Sequence, residues 1–262
     1  MTARRFLLAL ALTGCTRRIP PPQVRVVESV APARPMVAWS TVAPGFTWTQ
    51  VELPFDEERL LWTVLRFDLS RWSLQVERSP DDTVTGLART AAVNAGYFEP
   101  DHAPSGLLIS RGHVLGRPAT RGGSGVLTLR NGRASIEASA GFPEDFAGEL
   151  AVQCGPRLVE EGGLVGVHRD DGHRFARTAA CVRDAGRTLD LVLTWNLHDP
   201  LRGPGLQWFA RRLAGPSPTG DPSGCERALN LDGGPSTGFS IAGAPGHPAL
   251  GPTPWLLTAH AL

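Results

Sequence analysis

The stretch Ala228 to Phe239, "ALNLDGGPSTGF", gathers at the end of an apolar run the residue types that do chemistry. Leu229 and Leu231 alternate with Asn230 and Asp232, the period of a strand, so one buried face delivers Asp232 at the strand tip. Gly233 and Gly234 can take positive φ and let a ligand approach the backbone. Pro235 sets the next turn, and Ser236 and Thr237 offer hydroxyls. The plainer reading of the same stretch is an Asp-Gly turn between two strands.

Three other segments carry candidate groups. "VNAGYF" ends an apolar strand with Asn94, an amide that can donate and accept at once. That suits a sugar hydroxyl, an acetamido group or a phosphate oxygen, although an Asn capping a turn looks the same. "GPRLVEEGG" places Arg157 after a Gly-Pro turn, and "ARTAACV" opens a strand with Arg177. Arginine suits bidentate phosphate contacts, but every basic residue of this chain is Arg, so any single one is weak evidence. "HRDDGHRF", His168 to Phe175, looks like a metal cluster yet reads better as a solvated loop. Glu99, Asp101 and His102 of "EPDHAPSG" are candidate second acid–base groups on a pocket rim. No phosphate-binding P-loop or His-Glu-x-x-His is present. No cofactor is expected; the alternative is a calcium ion held by Asp232 and loop carbonyls.

Taken in order, "NAGYF … PSG … GPRLV … RTA … NLDGGPS" resembles the phosphodiester glycosidase family, from about Asn94 to Phe239. The family's NGGFF is here Asn94 to Phe98, its GP-x-LV is Gly155 to Val159, its RTA is Arg177 to Ala179 and its LDGGGS is Leu231 to Ser236. Ala95, Pro235 and Cys181 stand where glycines are usual; a stiffer Pro235 turn bears on substrate range. The resemblance implies hydrolysis of the bond between a sugar's anomeric carbon and an esterified phosphate, in an N-acetylglucosamine-1-phosphodiester or a cell-envelope glycan. The leaving phosphate monoester has a second pKa near 6 and departs without a general acid. One carboxylate plus arginines is then a sufficient set, unlike the carboxylate pair of ordinary glycosidases. The implied roles put the phosphate on Arg177, with Arg157 as a second candidate. Asp232 orients sugar hydroxyls, acts as base toward water, or stabilises the developing cation. Asn94 completes the catalytic set, and Tyr97, Gly106, Gly233, Gly234 and Ser236 line the pocket. The competing readings are a glycan- or peptidoglycan-binding lipoprotein without turnover, and a structural envelope lipoprotein.

The elements that must position these groups are mainly short strands. "LLWTVLRFDL" and "WSLQVERS" alternate and read as a hairpin or meander about Ser70-Arg71. "GLLISRGHVLG" reads as two strands about Arg111-Gly112, and "GVLTLRNGRASIE" as a hairpin on Asn131-Gly132. "ARTAACVRDAGRTLDLVLTW" is a further hairpin, closing near Asp184-Ala185-Gly186. "GLQWFARRLAG" is the best helix, with Leu206, Phe209, Ala210 and Leu213 on one face and Gly215 at its end. "ERALNLDGG" and "PWLLTAHAL" are later strands. The fold class is α+β: one strand-dominated domain with mixed or antiparallel sheets and few helices.

The chain of 262 residues opens with Arg4 and Arg5, an apolar stretch from Phe6 to Leu12, and Thr13-Gly14-Cys15. This is a secretory signal, too short to span a bilayer, whose end resembles a bacterial lipobox. Residues 1–14 are read as a lipoprotein signal peptide, with Cys15 acylated, and the alternative is a plain secretory peptide. Residues 15–35 are a Pro- and Arg-rich tether, and residues 36–262 the folded domain. The expected location is the periplasm-facing cell envelope, anchored through the lipid, with Thr16 favouring the outer over the inner membrane. A net charge of +1 with no basic arm excludes nucleic acid as an expected partner. With Cys15 lipidated, Cys154, Cys181 and Cys225 remain in an oxidising compartment, so at least one thiol is unpaired. Cys181 and Cys225 lie in apolar strand-like runs and form the expected pair, which spacing alone does not settle.

Overall fold

Period-two stretches become strands here, and the strands sort into three antiparallel sheets. The computed structural model describes residues 37–87, 89–143 and 145–262. The expected signal peptide and tether, with Cys15, lie outside the described residues. In chain order the elements are β1 (Ser40–Ala43), β2 (Phe46–Phe55), β3 (Glu58–Asp68), β4 (Trp72–Arg78), β5 (Ala91–Asn94) and β6 (Leu108–Ser110). Then come β7 (His113–Gly116), β8 (Gly125–Arg130), β9 (Arg133–Ala138), β10 (Leu150–Cys154), β11 (Arg157–Glu160) and β12 (Leu164–Val165). The chain continues with β13 (Arg177–Arg183), β14 (Thr188–Asn196), α1 (Leu206–Ala214), β15 (Arg227–Asn230), β16 (Phe239–Ile241), β17 (Ala244–His247) and β18 (Trp255–Ala261). One eight-stranded sheet runs β1-β2-β3-β14-β13-β15-β11-β12; two five-stranded sheets run β7-β6-β10-β8-β9 and β17-β16-β5-β18-β4. With one α-helix among the described residues, strands carry the fold.

The main core fills the space between the eight-stranded sheet and the two smaller ones. It joins Leu65, Leu191 and Leu229 from the first sheet to Leu127 and Val152 from the second and Val93 and Leu257 from the third. The opposite face of the large sheet is covered by α1. Phe209, Ala210 and Leu213, spaced at 3.6 residues, bury against Trp62, Ala179 and Val192. The Trp62 and Phe209 rings meet edge to face, 5.5 Å between centroids. Beside this helix the Cys181–Cys225 disulfide, with Cα atoms 5.4 Å apart, ties β13 to the chain entering β15. Cys154 is free and buried.

Local turn chemistry holds where the sequence marks it. The β8–β9 hairpin closes on Asn131 and Gly132 with φ of 52° and 67°, the two positive values a primed turn requires. β6 pairs with β7, and β13 with β14. The expected hairpin of β3 with β4 does not form. β3 pairs with β2 and β14, whereas β4 pairs with β18 in another sheet. Asp68 bends the chain there by accepting bonds from the Ser70 N–H and hydroxyl, at 2.9 and 2.7 Å. β4 and one face of β3 bury in the same core from opposite layers, while the other face of β3, with Leu60, Trp62 and Val64, lies beneath α1, so alternation alone misassigns the partner. The true partner, β2, is a ten-residue strand that the sequence reading leaves unassigned.

Candidate functional site

The site is built where β15 runs out. β13 pairs with β15 in a register that sets Ala179 opposite Asn230 and Ala180 opposite Leu229. The Leu231 N–H donates to the Thr178 carbonyl at 2.9 Å, which extends the same register one residue further. The next bond, from the Gly234 N–H to the Ala176 carbonyl at 2.7 Å, is shifted by one residue, so the chain bulges at Asp232 and Gly233, while Arg177 keeps the face of Ala179 and Cys181. That face is the one α1 covers, since Ala179, Cys181 and Ala228 pack beneath the helix. Asp232 and Arg177, 55 positions apart in the chain, therefore lie at the same end of the β13–β15 pair, and no ion pair joins them among the described residues.

The sequence reading has β15 burying one face only. Instead Ala228, Leu229, Asn230 and Leu231 are all buried, because this strand lies inside the large sheet between two cores. Beyond it the chain turns sharply. Gly234 has φ of 56°, while Gly233 is extended at φ −141°. Gly233 is small for another reason: a β-carbon there would lie 2.9 Å from the Ala176 carbonyl oxygen. The Gly233 N–H donates to Asp232 Oδ1 at 2.9 Å and orients the carboxylate. Burial raises the Asp232 pKa above the usual carboxylate range, with the Ser236 hydroxyl and the Gly233 N–H pulling the other way.

Asn94 clasps this turn from the neighbouring sheet. Its Nδ2 donates to the Asp232 carbonyl at 2.7 Å. Its Oδ1 accepts from the Thr178 hydroxyl at 2.9 Å and from the Gly238 N–H at 3.2 Å. The residue is 1% exposed, and its amide holds the Asp232 backbone in place. Tyr97 lies beside the clasp. Its hydroxyl donates to the Gly155 carbonyl and accepts from Asn230 Nδ2 at 3.3 Å. Burial pushes the phenol pKa up, so Tyr97 is a neutral hydrogen-bonding group. Burial likewise pushes the nearby Cys154 thiol up to about 12, and the Asp232 carboxylate adds to the effect.

Arg177 is the one charged residue that the site buries without a counterion. It is 7% exposed. Nε donates to the Pro204 carbonyl at 3.1 Å and Nη2 to the His173 carbonyl at 2.9 Å. Nη1 has no hydrogen-bond partner among the described residues, and no described carboxylate pairs with the guanidinium. Burial lowers its pKa, opposed weakly by Asp171, Tyr97 and Asp170. Pro204 precedes Gly205, the N-cap of α1, so the positive end of the helix dipole adds to the potential there. A buried cation held by neutral carbonyls with one edge free has the donors and the charge to accept an anion.

Two other expected residues do not join. Arg157 sits opposite Leu229, so it faces the main core and the β8–β9 layer, the other side of the sheet from Arg177. Its Nη1 is 2.7 Å from Glu160, which neutralises it. Gly106 is buried, and a β-carbon there would lie 2.8 Å from Gln153 Oε1 and 2.9 Å from Gly122, so it is a packing position. Ser236 is close to Asp232, with its hydroxyl donating to the Pro252 carbonyl at 3.2 Å. His102 is engaged with Asp82 at 3.0 Å, and His168, Asp170, Asp171 and His173 lie in an exposed loop. Among the described residues no group of three or more His, Cys, Asp and Glu is arranged to hold a metal. The sequence reading misses Asn230 and Thr178. A single amide inside "ALNL" is the signal for the first; nothing marks the second.

The mostly β domain thus carries a half-buried carboxylate, Asp232, and a buried guanidinium, Arg177, on neighbouring strands. The chain belongs to the phosphodiester glycosidase family, whose profile matches residues 88–252. No curated protein matches it in sequence. Its fold is similar to that of a hypothetical protein from Synechocystis (TM-score 0.59, 15% identity), covering 87% of this chain and 64% of the other. It is also similar to the catalytic domain of zebrafish N-acetylglucosamine-1-phosphodiester α-N-acetylglucosaminidase, auto-inhibited by its pro-peptide (TM-score 0.57, 15% identity), covering 86% and 84%. The chain thus spans under two thirds of the Synechocystis protein.

Proposed function

We propose that this protein hydrolyses the bond between a sugar's anomeric carbon and a phosphodiester, in an N-acetylglucosamine-1-phosphodiester or a similar cell-envelope glycan. The observation that carries the reading is Arg177, a buried guanidinium with no ion-pair partner among the described residues, on the strand that pairs with the one delivering Asp232. Arg177 holds the phosphate through its free edge, and the end of α1 adds positive potential. Asp232 takes a proton from water as the water oxygen bonds to the anomeric carbon. The bond from that carbon to the phosphate oxygen breaks, and the phosphate monoester leaves as an anion that needs no acid. The raised pKa of Asp232 makes its carboxylate a stronger base than an exposed one. Family membership supports the reaction class, and the sugar is drawn from the substrate in the zebrafish relative's name.

The reading extends to an envelope lipoprotein facing the periplasm, carried by lipid on Cys15, with the outer membrane favoured. The basic start, short apolar run and cysteine support it. No described helix is long and apolar enough to cross a membrane. The test is release of free sugar from N-acetylglucosamine-1-phosphate esters by the purified protein, with Asp232→Asn and Arg177→Ala alongside. Release that both variants abolish is expected. Glycan binding with no release from any ester overturns the hydrolase in favour of a binding lipoprotein.

A further inference from the structure

Several large apolar side chains stand exposed among the described residues, and three of them converge on the site. Phe175 is 46% exposed, Leu201 41% and Leu250 59%. Isolated exposed apolar residues are ordinary and need no function; a contiguous set around a ligand site is different. Here the contiguity is visible in the backbone. The Ala176 N–H donates to the Leu201 carbonyl at 2.9 Å, which puts Leu201 beside Phe175. The Phe175 Cβ lies 4.0 Å from the place a Gly234 side chain would begin. The exposed Pro235 follows, and its carbonyl accepts the Leu250 N–H at 2.9 Å. Leu201, Phe175, Pro235 and Leu250 thus form a chain of neighbours along the turn that carries Asp232.

The same chain borders the cation. The Arg177 Cζ is 5.8 Å from the Phe175 ring centroid. A ligand whose anionic group sits on Arg177 therefore meets apolar surface as soon as it leaves the site on that side. A phosphodiester has two ester groups. On the reading above, one carries the sugar toward Asp232, and the other must run outward past Phe175. A polar second sugar would meet His173, stacked on the Phe175 ring with centroids 5.6 Å apart, but no donor or acceptor on the side chains of Leu201, Pro235 and Leu250. An alkyl or prenyl chain would cover all three.

We propose that the second ester group of the substrate is a long-chain apolar alcohol, so that the substrate class is a lipid-linked sugar-1-phosphate. This rests on the phosphodiester glycosidase reading and adds the identity of the leaving group. Each methylene wholly removed from water is worth about fourfold in binding. A chain lying on an open rim is about half covered, so a few methylenes give about tenfold or more.

The experiment compares N-acetylglucosamine-1-phosphate methyl and octyl esters, the latter below its aggregation limit, with the full-length protein. The expected kcat/KM ratio, octyl over methyl, is about tenfold or more. In a Leu201→Ser, Leu250→Ser double variant that ratio falls to within about threefold of one; being internal to each protein, it is insensitive to a general loss of folded enzyme. Release from both esters at equal kcat/KM overturns the inference and leaves the glycosidase reading standing. A high ratio kept by the double variant also overturns it, because the chain is then bound elsewhere. Equal rates with vesicle pelleting lost in the double variant assign the rim to a membrane surface instead. No release from either ester overturns the glycosidase reading and the inference together.

Discussion

Replacing Arg177 by Met separates an anion receptor from a structural arginine, because the two predict opposite effects on stability. Methionine keeps the apolar stem and removes the charge. Two hydrogen bonds are lost, to the Pro204 and His173 carbonyls, at 3.1 and 2.9 Å. Bonds from a charged donor contribute about 1.5–3 kcal/mol each, so the loss is about 3–6 kcal/mol. Against it stands the relief of a buried cation that no described carboxylate neutralises, a penalty of several kcal/mol. The two offset to within about 2 kcal/mol, a Tm change under about 8 °C for a domain of this size. Phosphate must then act oppositely on the two proteins. At about 20 mM inorganic phosphate and a site of about 1 mM Kd, linkage stabilises the wild type by about 1.8 kcal/mol, raising Tm by about 4–7 °C. Arg177→Met should show no such rise, and its kcat should fall by about 10²–10³, the usual effect of removing one group that stabilises transition-state charge. The assay is thermal unfolding by circular dichroism with and without phosphate at fixed ionic strength. A variant that still gains the phosphate shift, or that loses more than about 4 kcal/mol without phosphate, refutes the reasoning.

The remaining predictions concern the groups around that arginine. Because the folded-state pKa of Asp232 is raised, the stability this group contributes is present at low pH and is lost as pH rises through the folded value. Asp232→Asn should therefore be at least as stable as wild type at pH 7 in urea unfolding, with the advantage gone near pH 3, while sugar release is abolished. The acid limb of the wild-type kcat/KM profile should sit above the ordinary carboxylate range. Asn94→Ala leaves the Thr178 hydroxyl, the Gly238 N–H and the Asp232 carbonyl without a partner. At about 1–3 kcal/mol for each unsatisfied group it should cost about 3 kcal/mol or more by denaturant midpoint, and a variant within 1 kcal/mol of wild type would remove the clasp. Cys181→Ser with Cys225→Ser opens a loop of sequence separation 44, which should cost about 2–4 kcal/mol, read as the same Tm for reduced wild type and for the double variant.

The sequence by itself determined the elements whose signals are local. Asn131-Gly132 needs two positive φ values that few other pairs accept, so its hairpin is legible without a partner. The 3.6-residue spacing of Phe209, Ala210 and Leu213 marks a helix face in the same way. The ordered motifs reveal the family, and with it Asp232 and Arg177, because a short glycine-rich turn after an apolar run constrains residue types strongly. What pairs with what was decided only in the tertiary structure. β4 and one face of β3 bury in one core yet the two strands belong to different sheets, since alternation reports which face is inward and carries no record of the neighbouring strand. The same ambiguity separates the two arginines. Arg157 and Arg177 both open strands in the sequence, but register puts the first opposite Leu229, beside Glu160, and the second opposite Thr194, on the face that α1 covers. With a side-chain period of two, one residue of register exchanges the faces of a strand. Whether an arginine is neutralised or left free to take an anion therefore follows from long-range strand pairing, which no local stretch of the chain encodes.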